Sequence, residues 1–230
     1  MIVRKSGDLF VLIRQHDHAL VSGQLAERLK PEWKLPENVV RGISLHDCGW
    51  EELDEEILWN ERTGAPHSFE DYPLAPKVRA YTHGIDRVEE KDPYAAFLCS
   101  MHYSRFFENG EDPVSVEFFN REQQRRMRLA ERISPALLEK ADDHYGWLLF
   151  FDRLSLAICM NEPGENRHPW FRDGIRHHGV THRWVWENEY RLRLDPELFS
   201  GPFSVSVPYR LVNANRQPAG AGTYRFEIMA

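Results

Sequence analysis

Residues 37–50, E-N-V-V-R-G-I-S-L-H-D-C-G-W, set the expectation for the whole chain. Val39 and Val40 stand four and three residues before Ile43 and, with Leu45, are the apolar positions of a helix predicted from Glu37 to about Cys48. His46 and Asp47 close that helix, and Gly49 allows a close turn just after them. A histidine and a carboxylate side by side on an apolar helix are costly to bury unless something compensates them.

The flanking sequence supplies more helices and more such residues. From Gln15 to about Leu29 the apolar positions Leu20, Val21, Leu25, Ala26 and Leu29 predict a helix headed by His18 and closed by Pro31. Further helices are expected over Tyr94–Phe107, Val114–Arg132 and Pro135–Met160, the last with a break near Asp142. His102 shares a face with Ala95, Leu98 and Cys99, and Asp152 shares one with Leu148, Leu149, Ser155 and Leu156. Four helices thus each offer an inward-pointing His or Asp, and a divalent ion at their centre would satisfy all of them. Imidazole and carboxylate without thiolate suit Fe, Mn, Co, Ni or Zn, with Mg a further candidate, one or two ions in all.

Other segments read differently. Residues 1–13 alternate around Ser6-Gly7-Asp8 as a β-hairpin, and residues 183–228 alternate with period two as antiparallel strands. Gly64, Pro66, Pro73 and Pro76 predict a long ordered loop over 60–80, close to His46 because it follows that motif directly. The run Arg121, Arg125, Arg126, Arg128 and Arg132, interleaved with Glu122 and Glu131, reads as a solvated helix face. His168, His177, His178 and His182 read as a polar loop between helix and sheet.

Composition narrows the class. The 230 residues carry 29 Lys and Arg against 36 Asp and Glu, a net charge of −7, which argues against nucleic acid as a partner. No apolar run is long enough for a membrane span and no signal-peptide pattern is present, so a cytoplasmic protein with a small-molecule substrate is expected. Cys48, Cys99 and Cys159 each sit in an apolar stretch as buried thiols would, and no C-x-x-C spacing supports a thiolate zinc site.

The order His18, His46-Asp47, Asp152 resembles the HD-domain superfamily of metal-dependent phosphohydrolases. H-A-L-V-S-G-Q-L-A (18–26) is similar to that superfamily's first metal helix, and L-H-D-C-G-W (45–50) to its H-D-x-G motif. More closely, residues 1–160 resemble an HD-like family of unknown function, through 15–26, 46–54, 63–66, 94–103 and 151–156. The resemblance implies metal ligands His18, His46, Asp47 and Asp152, with His83 and His102 completing the order found in dinuclear members. Periodicity and resemblance together give the expected mainly α fold: an HD-like helical metal-binding domain over 1–162, including the N-terminal hairpin, and a β-rich extension over 163–230 that could pair with that hairpin.

The chemistry expected is hydrolysis of a phosphoester or related small molecule by a metal-activated water. Glu51, Glu52 and Asp54 are candidates for proton transfer beside Asp47, and Arg153 or Arg105 for neutralising a phosphate. His16 or Asp17 could orient His18. The same ligand set would serve a di-iron oxygenase. A non-catalytic HD-like binding protein, using the Trp184 and Trp186 face, is the third reading.

Overall fold

The computed structural model describes residues 1–230. Strands β1 (Ile2–Ser6) and β2 (Leu9–Ile13) form the N-terminal hairpin, turning through Gly7 at φ 58°, a conformation that glycine enters without steric cost. Helix α1 (Gln15–Glu27) leads to α2 (Glu37–Leu45), and a single 3-10 turn at Cys48–Trp50 follows the His46-Asp47 pair. A two-stranded ribbon, β3 (Trp59–Asn60) with β4 (Ala65–Pro66), precedes α3 (Leu74–Lys91).

Helix α3 takes up the last third of the segment expected to be a loop. Pro76 sits in its first turn, where a missing N–H breaks no intrahelical bond, so the proline-rich spelling marks a helix start. Helix α4 (Pro93–Ser104) is fixed at its start by Asp92, whose carboxylate accepts from the backbone N–H groups of Tyr94 and Ala95. Asp112 caps α5 (Pro113–Ala130) in the same way through Ser115. The long C-terminal helix does break, between α6 (Pro135–Glu139) and α7 (Ala141–Met160).

Strands β5 (Ile175–His177), β6 (Val180–Asn188), β7 (Arg191–Asp195), β8 (Phe203–Asn213) and β9 (Pro218–Met229) complete the chain. His177 and His182 therefore lie in a hairpin of the sheet, while His178 forms its turn.

The mainly α expectation is overturned. The strands form one curled seven-stranded sheet in the order β1-β2-β8-β9-β7-β6-β5, mixed because β7 and β9 run parallel. Helix accounts for 45% of residues and strand for 24%, so the chain is an α/β fold. The N-terminal hairpin is what changes the class. β2 pairs with β8, Leu9 opposite Asn213, which draws both ends of the chain into one sheet. Trp184 on β6 donates its indole N–H to the Leu154 carbonyl on α7, and residues of sheet and helices share one hydrophobic cluster. No helix is long and apolar enough to cross a membrane.

Two close helix approaches set the stage for the site. A Cβ on Gly23 of α1 would fall 1.8 Å from Ser44 Oγ of α2, so only glycine permits this crossing. A Cβ on Gly84 of α3 would fall 2.6 Å from Gly49 Cα, which is why the residue two after Asp47 is also glycine: backbone meets backbone there.

Candidate metal centre

Helix α1 contributes His18, the end of α2 contributes His46 and Asp47, and α4 contributes His102, all buried, while α7 contributes the partly buried Asp152. His18 Nε2 lies 3.0 Å from Asp47 Oδ2 and 3.9 Å from Asp152 Oδ1. His46 Nε2 lies 3.5 Å from Asp152 Oδ1 and 3.9 Å from Asp47 Oδ2. The ring centres of His46 and His102 are 4.8 Å apart. Ligand-type atoms of His18, His46 and Asp152 all fall within 4.8 Å of one another, and so do those of His46, Asp47 and His102.

Hydrogen bonds outside this cluster fix how its rings face. His46 Nδ1 is 2.7 Å from the Ile43 carbonyl, which can only accept, so Nδ1 donates and Nε2 points to the carboxylates. His18 Nδ1 is 2.7 Å from Ser155 Oγ. The Ser155 hydroxyl donates to the Asp152 carbonyl at 3.0 Å, which leaves its oxygen to accept from His18 and turns His18 Nε2 inward. Ser22 Oγ, 2.8 Å from Ser155 Oγ, reaches the carbonyls of His18 and Phe151 as well. Gln15 donates its side-chain N–H to Asp47 Oδ2 at 3.1 Å.

The electrostatics describe a centre that attracts positive charge. Burial alone would lower the pKa of His46, but Asp47 and Asp152 outweigh it and raise the group to about 9. Burial opposes ionisation of both carboxylates, yet His46 and its neighbours hold Asp47 below the ordinary range and Asp152 well below it. Burial and the charge on His46 together lower His102 to about 4, so this ring is neutral at physiological pH, the form that ligates. Two buried ring nitrogens, His46 Nε2 and His102 Nδ1, have no hydrogen-bond partner. His46 Nε2, beside two carboxylates and without a hydrogen bond, fits a bound cation, the compensation that a buried polar group otherwise lacks.

A cavity of about 800 Å³ opens onto Asp47, His102 and Asp152. Arg105 and Arg153 line it, as do Phe69, Leu74 and Lys77 from the segment 60–80, which therefore reaches the site as expected.

The remaining predicted residues lie elsewhere. His83 is exposed on α3, beside a separate groove shared with Thr82 and Arg121. Glu51 pairs with His16 at 3.1 Å and Arg87 at 2.9 Å, and Glu52 pairs with Arg87 at 3.2 Å. Asp54 is buried, accepting from the Gln15 backbone N–H and pairing with the Met1 amine, each at 2.6 Å. The arginine face is divided. Arg121, Arg128 and Arg132 are exposed, whereas Arg125 is buried among Asp86, Glu89 and Glu122.

Gln15 and Ser155 had no separate signal in the sequence, since each acts on a ligand through a contact between elements. Lys77 was hidden because Pro73 and Pro76 made its helix look like a loop.

A family model described as protein of unknown function (DUF3891) matches residues 1–214. No curated protein and no solved structure matches.

Proposed function

The chain belongs to the DUF3891 family, and we propose that it is an HD-like, metal-dependent hydrolase of a phosphoester or related small molecule. What supports this reading above all is the convergence of ligand-type atoms of His18, His46 and Asp152, and of His46, Asp47 and His102, each set within 4.8 Å, with the buried His46 Nε2 3.5 Å from Asp152 Oδ1 and making no hydrogen bond.

In this reading His18, His46, Asp47, His102 and Asp152 hold one divalent ion. His46 has a single lone pair to give, since its Nδ1 is spent on Ile43, so it serves one ion although both overlapping triads include it. His83, away from the cluster, adds no ligand. When bound, the ion would supply Lewis acidity and a nucleophilic water at neutral pH.

The chain's own groups do the rest. Ser155, the Ile43 carbonyl and Gln15 hold the ligands in orientation. Arg153, next to Asp152 on α7, and Arg105, one turn beyond His102, neutralise the phosphoryl oxygens. Hydrolysis forms a bond from water oxygen to phosphorus and breaks the ester P–O bond, and the departing oxygen takes up a proton. Glu51, Glu52 and Asp54 are tied to His16, Arg87, Gln15 and Met1, so the proposal assigns them no part in proton transfer.

The test is hydrolysis of 4-nitrophenyl phosphate, its diester and a set of nucleotides by protein reconstituted with Mn, Fe, Ni, Zn or Mg. Asp47→Ala should lose more than the roughly 100-fold that even changes around a ligand cost. Equal rates for Asp47→Ala and the unaltered protein across the panel would overturn the reading.

A further inference from the structure

The cavity beside the cluster is larger and more apolar than a phosphoryl group needs. Its volume of about 800 Å³ lies in the upper part of the ~300–1,000 Å³ range of small-molecule sites, and half of its 20 lining residues are hydrophobic. Trp50, Phe69, Tyr81, Phe107, Trp170 and Phe171 supply aromatic walls. Phe106 and Trp170 are 56% and 46% exposed while lining the same space, so they stand at its mouth. Large apolar side chains held open to solvent around a concavity mark a place where something apolar is covered.

Three cations share this lining with the carboxylates Asp47, Glu70, Asp112 and Asp152. Lys77, Arg105 and Arg153 form no ion pair, in contrast to Arg87 with Glu51 or Arg125 with Glu122. Lys77 donates to the Phe69 carbonyl at 3.2 Å, and burial holds its ammonium below the ordinary value. Asp71 offsets that burial only in part, and an anion arriving there would favour the charged ammonium further. Arg105 leans over the Phe106 ring, its guanidinium carbon 5.6 Å from the ring centre, so cation and aromatic wall meet at one point of the rim.

We propose that the cavity takes a phosphomonoester whose alcohol part is aromatic or similarly bulky and apolar. Lys77, Arg105 and Arg153 hold the phosphoryl end beside Asp47, His102 and Asp152, and Phe69, Phe106 and Trp170 cover the apolar body. The position of the phosphoryl end rests on the hydrolase reading above; the preference for an apolar body rests on the cavity alone.

Calorimetric titration of the purified protein with two non-hydrolysable probes, phenylphosphonate and methylphosphonate, separates these parts. Phenylphosphonate should bind about tenfold tighter or more, the order of factor that covering an aromatic ring supplies. Trp170→Ala and Phe106→Ala, both at solvent-exposed positions, should each narrow that ratio without altering metal content. Lys77→Met with Arg153→Met should weaken both probes by a similar factor. Equal affinity for the two probes, or a ratio untouched by both aromatic variants, would overturn the proposal. A ratio that holds and depends on Trp170 in a protein that neither binds metal nor hydrolyses esters would sustain the apolar site and reject the hydrolase.

Discussion

Ser155 Oγ lies 2.7 Å from His18 Nδ1, and that contact turns the other nitrogen of His18 toward Asp47. Because the serine hydroxyl is already donated to the Asp152 carbonyl, it can only accept from the imidazole. Ser155→Ala removes the acceptor and frees the ring to change tautomer. Metal affinity should fall by roughly 10–100-fold, read by competition with a chromogenic chelator, while the fold survives. Unchanged affinity would mean that His18 is oriented by something else.

Gly84 and Gly146 make a contrasting pair. A Cβ at Gly84 would meet the backbone of Gly49, two residues after Asp47, at 2.6 Å, so α3 and the His46-Asp47 turn must separate. Gly84→Ala should lower the melting temperature and metal affinity together. At Gly146, inside α7, the nearest atom to a new Cβ is 3.8 Å away, so Gly146→Ala should add about 0.5–1 kcal/mol of stability. Denaturant unfolding of both variants checks the two signs at once.

Arg125 is the hub of a buried ion cluster, 3.0 Å from Glu122, 2.6 Å from Asp86 and 2.6 Å from Glu89. Its side chain is 7% exposed and that of Glu122 is 0% exposed. Arg125→Met leaves the Glu122 carboxylate buried without its cation and should cost about 3–5 kcal/mol. Adding Glu122→Gln should recover part of that loss, because the amide needs no counter-charge.

His177 sets an expectation for acid stability. Burial, with His178 and His182 nearby, lowers its pKa from 6.5 to about 3, so the folded state keeps this ring neutral where the unfolded chain protonates it. Between those values the unfolded state binds more protons, and stability therefore falls as pH drops from 6.5 toward 3. His102, lowered to about 4, acts in the same direction. His177 stacks on Phe150 with ring centres 4.6 Å apart, and its buried Nε2 has no partner, so phenylalanine fits its surroundings. His177→Phe should make the fall shallower, measured by urea unfolding at pH 7, 5 and 4. An identical slope would locate acid sensitivity in other groups.

Much of the site was legible because its signals are local. His18, His46, Asp47, His102 and Asp152 each interrupt an apolar helix face, and that pattern is visible however far apart the helices stand in the chain. The structure brings these five together. His83, named only through the ligand order of the resemblance, lies on the exposed face of α3, whose start the prolines disguised. The sheet was misjudged because pairing is non-local. Alternation marked the N-terminal hairpin and the C-terminal strands and allowed them to pair, but it did not show that the pairing builds one seven-stranded sheet large enough to change the class. Arg125 looked like its neighbours on α5, and only the packing of α3 against that helix supplies Asp86 and Glu89 to bury it.

Metal content of the purified, untagged protein, measured by elemental mass spectrometry beside Asp47→Ala, tests the metal centre most directly. About one equivalent of Fe, Mn, Ni, Zn or another divalent ion in the unaltered protein is expected, with loss of that ion in an Asp47→Ala protein that still unfolds cooperatively. No ion in the unaltered protein even after reconstitution, or the same content in both proteins, would contradict a metal centre built from His18, His46, Asp47, His102 and Asp152.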